Sequence, residues 1–124
     1  MLKFIRTVVT LALIVTALCA IRPAAAADMT WTMRSSYDYK VSLAFYSQDS
    51  NRVWPGNGDV YVLADSRAHP FTLACHRGEK ICYGAWPTGG NSRIHWGVGR
   101  HNEHTCRGRC FICGESNPSR DLTD

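Results

Sequence analysis

The sequence predicts a mainly β protein: a small antiparallel sheet built on hairpins, with a cysteine-stapled segment at the C-terminal end. Three observations predict it. Beyond residue 27 no stretch keeps a 3.6-residue apolar period for three turns. Short apolar runs alternate with polar residues and are cut at brief intervals by glycine, proline and asparagine. Five cysteines after residue 27 fall in two groups, Cys75 with Cys82 and Cys106 with Cys110 and Cys113, spaced as a framework that fastens the end of the chain to its middle.

Residues 1–27 read as an export signal. Lys3 and Arg6 form a positive start, residues 7–21 are apolar and uncharged, Pro23 breaks the run, and four alanines at 24–27 suit signal peptidase. The expected cut follows Ala27. A spanning helix needs roughly 20 apolar residues, more than this run supplies, so no membrane span is expected after the signal is removed. Leu18 before Cys19 argues against a lipid-modified cysteine. The expected location is secreted or periplasmic.

The chain carries 14 Lys and Arg against 10 Asp and Glu. Lys3, Arg6 and Arg22 leave with the signal, so 11 basic and 10 acidic groups remain in the domain. No basic surface of the kind nucleic acid requires is expected from that balance. The remaining 97 residues suffice for one domain, expected over 28–113, followed by a flexible polar tail over 114–124. Four tryptophans, five tyrosines and three phenylalanines supply its core.

The elements follow in order. Residues 28–36 are a lead-in strand anchored by Trp31. Residues 39–46 alternate, with Tyr39, Val41, Leu43 and Phe45 on one face. Residues 47–52 form a polar turn. Residues 54–59 form a tighter one, rich in residues that tolerate positive φ. Residues 60–63 are a short strand. Residues 71–86 read as a hairpin about the turn at 77–80, which sets Cys75 opposite Cys82 and puts Phe71, Leu73, Cys75, Cys82 and Trp86 on one face. Residues 94–99 are a strand whose glycines signal a bulge or a close backbone approach.

Five cysteines cannot all pair. Two disulfides and one free thiol are the leading expectation among Cys75, Cys82, Cys106, Cys110 and Cys113, since an exported protein meets oxidising surroundings. The alternative is zinc: Cys110 and Cys113 have knuckle spacing, and Cys75 with Cys82 would complete a four-thiolate site. No other cofactor is expected. Against zinc, six residues separate Cys75 from Cys82, Cys106 is left over, and oxidising surroundings disfavour free thiolates.

His101, Glu103 and His104, with His95 nearby, place imidazoles and a carboxylate close together, but the spacing is not that of a metalloprotease helix, and a solvated loop is the simpler reading. No nucleophile elbow or phosphate loop is present. The carboxylates are dispersed, and no residue is assigned a catalytic role. Glu79 reads as a solvated turn residue.

The run GEKICYGAW at 78–86, the WGVG at 96–99 and the terminal cysteine cluster resemble, in motif order over residues 38–113, small exported cysteine-containing bacterial proteins of unassigned function. The resemblance implies a compact cysteine-bearing domain and transfers no activity. The function expected from the whole is a non-enzymatic binding or envelope-associated module stabilised by disulfides, taking a protein or cell-envelope ligand, with Trp54 and Tyr46 as candidate contacts. A structural zinc domain is the first alternative and a small secreted hydrolase or redox enzyme the second.

Overall fold

The computed structural model describes residues 25–90, 93–105 and 109–123. Most of the expected leader and Cys106 therefore lie outside the described residues. Nine strands are described: β1 (Ala26–Ser35), β2 (Val41–Ser47), β3 (Val53–Trp54), β4 (Tyr61–Leu63), β5 (His69–His76), β6 (Lys80–Pro87), β7 (Trp96–Gly97), β8 (Cys110–Ile112) and β9 (Ser119–Leu122). They form two sheets. One has the order β5-β1-β9; the other has the order β3-β2-β6-β7, with β4 also paired to β2 and β8 to β6. Every pairing is antiparallel except β1 with β9.

Period-two patterning explains the packing. In β1, Met29, Trp31 and Met33 turn inward while Arg34 is exposed. In β5, Leu73 and Cys75 turn inward, and in β2, Val41, Leu43 and Phe45 do. These residues meet Ile81, Tyr83 and Ala85 of β6 in one core between the sheets. Trp31 sits at its centre, with ring centroids 5.2 Å from Phe45, 5.9 Å from Tyr83 and 5.4 Å from Phe111. Tyr39, expected on the inner face of its strand, precedes β2 and is 73% exposed.

The two strands of the expected 71–86 hairpin are present, but they do not pair with each other. β5 pairs β1 in one sheet and β6 pairs β2 in the other. A tight turn carries the chain between them: Glu79 N–H donates to the His76 carbonyl at 2.9 Å, and Gly78 takes φ +91°. The chain thus crosses from one layer to the next instead of folding back within a sheet. Consequently Phe71, Leu73 and Cys75 face the inter-sheet core, while Cys82 and Trp86 belong to a second cluster on the outer face of β6. Consecutive strands do pair antiparallel at β2 with β3 and at β6 with β7. Glu79 is buried and not solvated, with a carboxylate oxygen accepting the His76 N–H at 3.1 Å.

The C-terminal segment is stapled as expected. Cys75 bridges Cys113, with Cα atoms 6.4 Å apart, and Cys82 bridges Cys110, with Cα atoms 4.0 Å apart. Cys110 and Cys113 are three positions apart along an extended segment, so they point to opposite sides. Cys113 enters the inter-sheet core and Cys110 packs against the outer-face cluster. Cys113 also straps the turn, its N–H donating to the Glu79 carbonyl at 2.9 Å and its own carbonyl accepting the Gly78 N–H at 2.9 Å.

The C-terminal end differs from expectation. The polar tail expected over 114–124 contains β9, which lies parallel to β1 from Thr32↔Ser119 to Ser35↔Leu122. Leu122 is fully buried, and the Trp96 indole N–H donates to the Thr123 carbonyl at 2.7 Å. A buried apolar side chain, a backbone ladder and side-chain ties such as Arg34 to Asp121 at 3.1 Å hold this segment. At the other end β1 starts at Ala26, two residues ahead of the expected cut, and the Ala25 carbonyl accepts the Arg77 N–H at 2.8 Å. Among the described residues no helix is long and apolar enough to cross a membrane.

Candidate functional site

The outer face of β2 and β6 presents Ala44, Tyr46, Cys82 and Trp86, and the segment after β7 folds over part of it. Glycines make that approach possible. A Cβ on Gly84 would collide with the Gly99 carbonyl oxygen and come within 2.9 Å of the Tyr46 ring; one on Gly97, at φ +60°, would collide with the Tyr83 carbonyl. Val98 is buried, and its N–H donates to the Tyr83 carbonyl at 2.9 Å. The close approach expected from the 94–99 glycines is therefore real, although the strand itself is only two residues long.

Gly84→Ala is accordingly expected to cost about 1–3 kcal/mol through overpacking. Backbone, not a flexible side chain, would have to move. Amide hydrogen exchange should quicken at 97–104 more than in β1 or β5. An unchanged exchange pattern would mean that the loop does not rest on β6 as described.

Past Gly99 the chain makes a short 3-10 turn, Arg100–Asn102. Its backbone is strained: His101 has φ +59° and Asn102 φ +56°. Two hydrogen bonds hold it. His101 N–H donates to the Tyr46 hydroxyl at 3.0 Å, and Gln48 Nε2 donates to Asn102 Oδ1 at 3.2 Å. Burial pushes the Tyr46 phenol above its ordinary range, outweighing the downward pull of the His101 N–H and the Arg100 charge.

Opposite this turn stands a second one. Gly56, Asn57, Gly58 and Asp59 form a tight hairpin turn, closed by Asp59 N–H donating to the Gly56 carbonyl at 3.0 Å. Asn57 and Gly58, its central residues, take φ +57° and +76°, the pair of positive values that favours Asn-Gly. Between the two turns lies a cleft of about 430 Å³, floored by Ala44, Tyr46 and Trp86. Its walls carry Asn51, Asn57, Asp59, Arg100 and His101. The Arg100 guanidinium lies 5.8 Å from the Trp86 ring centroid.

Of the two contact candidates named from the sequence, Tyr46 lines this cleft. Trp54 does not: it is 7% exposed, packs in the inter-sheet core and donates its indole N–H to the Ala74 carbonyl at 3.0 Å. The histidines separate. His95 and His104 stack with ring centroids 3.8 Å apart, while His101 lines the cleft. Cys75, Cys82, Cys110 and Cys113, the alternative zinc ligands, are paired as the two bridges. Among the described residues no group of three or more His, Cys, Asp or Glu is arranged to hold a metal ion. Trp86, Arg100, Asn51, Asn57 and Asp59 were not singled out for the site from the sequence, though the Asn-Gly turn was a signal for one wall.

Removing the Tyr46 hydroxyl tests the tie between floor and wall. Tyr46→Phe is expected to cost about 0.5–1.5 kcal/mol at neutral pH, the usual net worth of one hydrogen bond. The pH dependence has a definite sign. A phenol whose folded value is raised contributes stability that is complete below the unfolded value, about 10, and is lost as pH rises through the folded value. Urea denaturation at rising alkaline pH should therefore show the wild type losing stability faster than Tyr46→Phe; parallel curves would remove burial of this group from the account.

The chain matches no family model, and no curated protein or solved structure is significantly similar to it, so the reading of the site rests on its own geometry.

Proposed function

We infer that the chain is an exported binding module without a catalytic role, built as a disulfide-stabilised β framework whose ligand site is the cleft over Tyr46 and Trp86. The observation that carries this reading is the pairing of two tight turns, one of them strained at His101 and Asn102, across an aromatic floor. Positive φ at His101 and Asn102 is costly, and such strain persists at ligand clamps where the surroundings hold it in place. The cleft volume, about 430 Å³, falls within the range of small-ligand sites. Its chemistry, apolar below and polar at the rim, orients a ligand without supplying a nucleophile and base in contact. Export is supported by the signal-like residues 1–27 and by two disulfides, which persist in oxidising compartments. The resemblance to small exported bacterial proteins belongs to the same proposal.

The test is an NMR screen of the oxidised protein with a library of small polar ring compounds. Hits should concentrate on the Tyr46 and Trp86 ring signals and on the amides of 56–59 and 100–102. An absence of hits, or hits scattered away from the cleft, would overturn the assignment of the site.

A further inference from the structure

The cleft does not end at its own walls. Beyond Arg100 lies a second hollow of about 150 Å³ that shares Trp86 and Arg100 with it and continues to Ile94 and Glu103. On the other side a third hollow, of about 270 Å³, shares Tyr46, Asn51, Val53 and His101 and reaches Ser50 and Asn102. The three hollows share wall residues, and on that sharing we read them as one groove beside the outer face of β2 and the Trp86 end of β6. A groove of that form suits an extended ligand made of several units better than a single compact molecule.

Its chemistry narrows the class. Asn51, Asn57 and Asn102 each offer donors and an acceptor, His101 offers both, and Asp59 and Arg100 add one acceptor group and one donor group of opposite charge. Groups that both give and receive hydrogen bonds match hydroxyl and acetamido substituents. Trp86, only partly buried, supplies flat apolar surface for the C–H face of a ring. A phosphate-rich polymer would require more cations than Arg52 and Arg100 provide, set beside Asp59 and Glu103. A peptide adding as a strand would use a free sheet edge, whereas this groove runs over the face of β2 and β6, whose edges are occupied by their neighbours.

We propose that the groove binds a neutral or weakly charged glycan strand, one ring stacking on Trp86 and its hydroxyl or acetamido groups held by Asn51, Asn57, Asp59 and His101. The proposal rests on the binding-module reading and names its ligand class. Arg100, which lies over Trp86 in this structure, moves to the rim as the ring arrives and becomes a donor to it.

The experiment titrates the full oxidised protein with soluble tetrasaccharides of N-acetylglucosamine, glucose and mannose. A sulfated tetrasaccharide and an unstructured tetrapeptide serve as comparisons. The readouts are NMR ring shifts of Trp86 and Tyr46 and calorimetric affinity. At least one neutral tetrasaccharide should bind in the groove, and Trp86→Ala should weaken it about tenfold or more, as expected for an aromatic anchor. Because Trp86 is half-buried, the surface pair Asn51→Ala with Asp59→Ala provides a second test and should also weaken binding while leaving the fold's NMR fingerprint intact. If every neutral tetrasaccharide leaves the groove signals unmoved, or if only the sulfated sugar or the peptide binds there, the glycan assignment is overturned. Small ring compounds that still bind the cleft in that case would leave the binding-module reading standing; loss of both would remove the two together.

Discussion

Removing either disulfide should cost about 2–3 kcal/mol, and removing both should cost more than the sum of the single losses. The loop-entropy relation gives about 3.9 kcal/mol for the separation of 38 between Cys75 and Cys113 and about 3.6 kcal/mol for the 28 between Cys82 and Cys110. The loops are nested, however. Once Cys82 and Cys110 are joined, the path from Cys75 to Cys113 is only about ten residues long, and closing it is worth about 2.7 kcal/mol, so the two bridges together are worth about 6.3 kcal/mol while each single removal costs only about 2.4–2.7 kcal/mol. Denaturant titrations of Cys75→Ala/Cys113→Ala, Cys82→Ala/Cys110→Ala and the quadruple variant should show the quadruple loss exceeding the summed losses of the two pairs by about 1 kcal/mol. Strict additivity would imply that the bridges do not share a loop. A domain of this size has a stability of about 5–15 kcal/mol, so the quadruple variant is expected to be largely unfolded at the lower end of that range. The single pairs should also differ in kind. Loss of Cys82–Cys110 frees β8 from the outer face next to the groove, whereas loss of Cys75–Cys113 loosens the joint between layers.

Trp31→Ala should be comparably severe, at about 3–5 kcal/mol. Trp31 is fully buried and touches Phe45 from β2, Tyr83 from β6 and Phe111 from β8, so one truncation opens a void facing three strands of the opposite sheet. At about 4–8 °C per kcal/mol for a domain of this length, the melting temperature should fall by well over 10 °C. Trp31→Phe is expected to cost markedly less. It keeps a ring in place and drops an indole N–H that has no hydrogen-bond partner among the described residues. Equal losses for the two variants would mean that the indole N–H, not the packed volume, matters at this position.

Strand identity was largely legible in the sequence, and strand partnership was not. The alternation of Val41, Leu43 and Phe45, and that of Leu73 and Cys75, are local signals, and both place those residues in the core. The turn at 77–80 reads the same whether the chain folds back in one sheet or crosses to another. What decides between them is β1, 40 or more residues away, which takes β5 as its neighbour. That choice also sets the face on which Cys82 and Trp86 stand: a hairpin puts them on the face of Phe71 and Leu73, whereas the crossing puts them in the outer-face cluster. The Cys110–Cys113 spacing fits a zinc knuckle as well as two separate bridges, because two thiols near in sequence also suggest one shared partner. On an extended segment the odd spacing sends them to different layers, and each finds its own cysteine. β9 was invisible for a related reason: Leu122 is one apolar residue among polar ones, and its ladder partner lies near the other end of the chain. Of the site, the glycines at 97 and 99 and the Asn-Gly turn were readable as backbone signals. Their convergence over Tyr46 depends on tertiary register and was not.

The tie of one C-terminal segment to two layers underlies both the stability and the shape of the groove, and disulfide mapping tests it most directly. The oxidised protein, with free thiols blocked at low pH, is digested without reduction and its linked peptides are sequenced by mass spectrometry. The expected result is a peptide pair joining Cys75 to Cys113 and another joining Cys82 to Cys110. Peptides joining Cys75 to Cys82 or Cys110 to Cys113, or four blocked thiols accompanied by a bound zinc ion in the native mass, would contradict it.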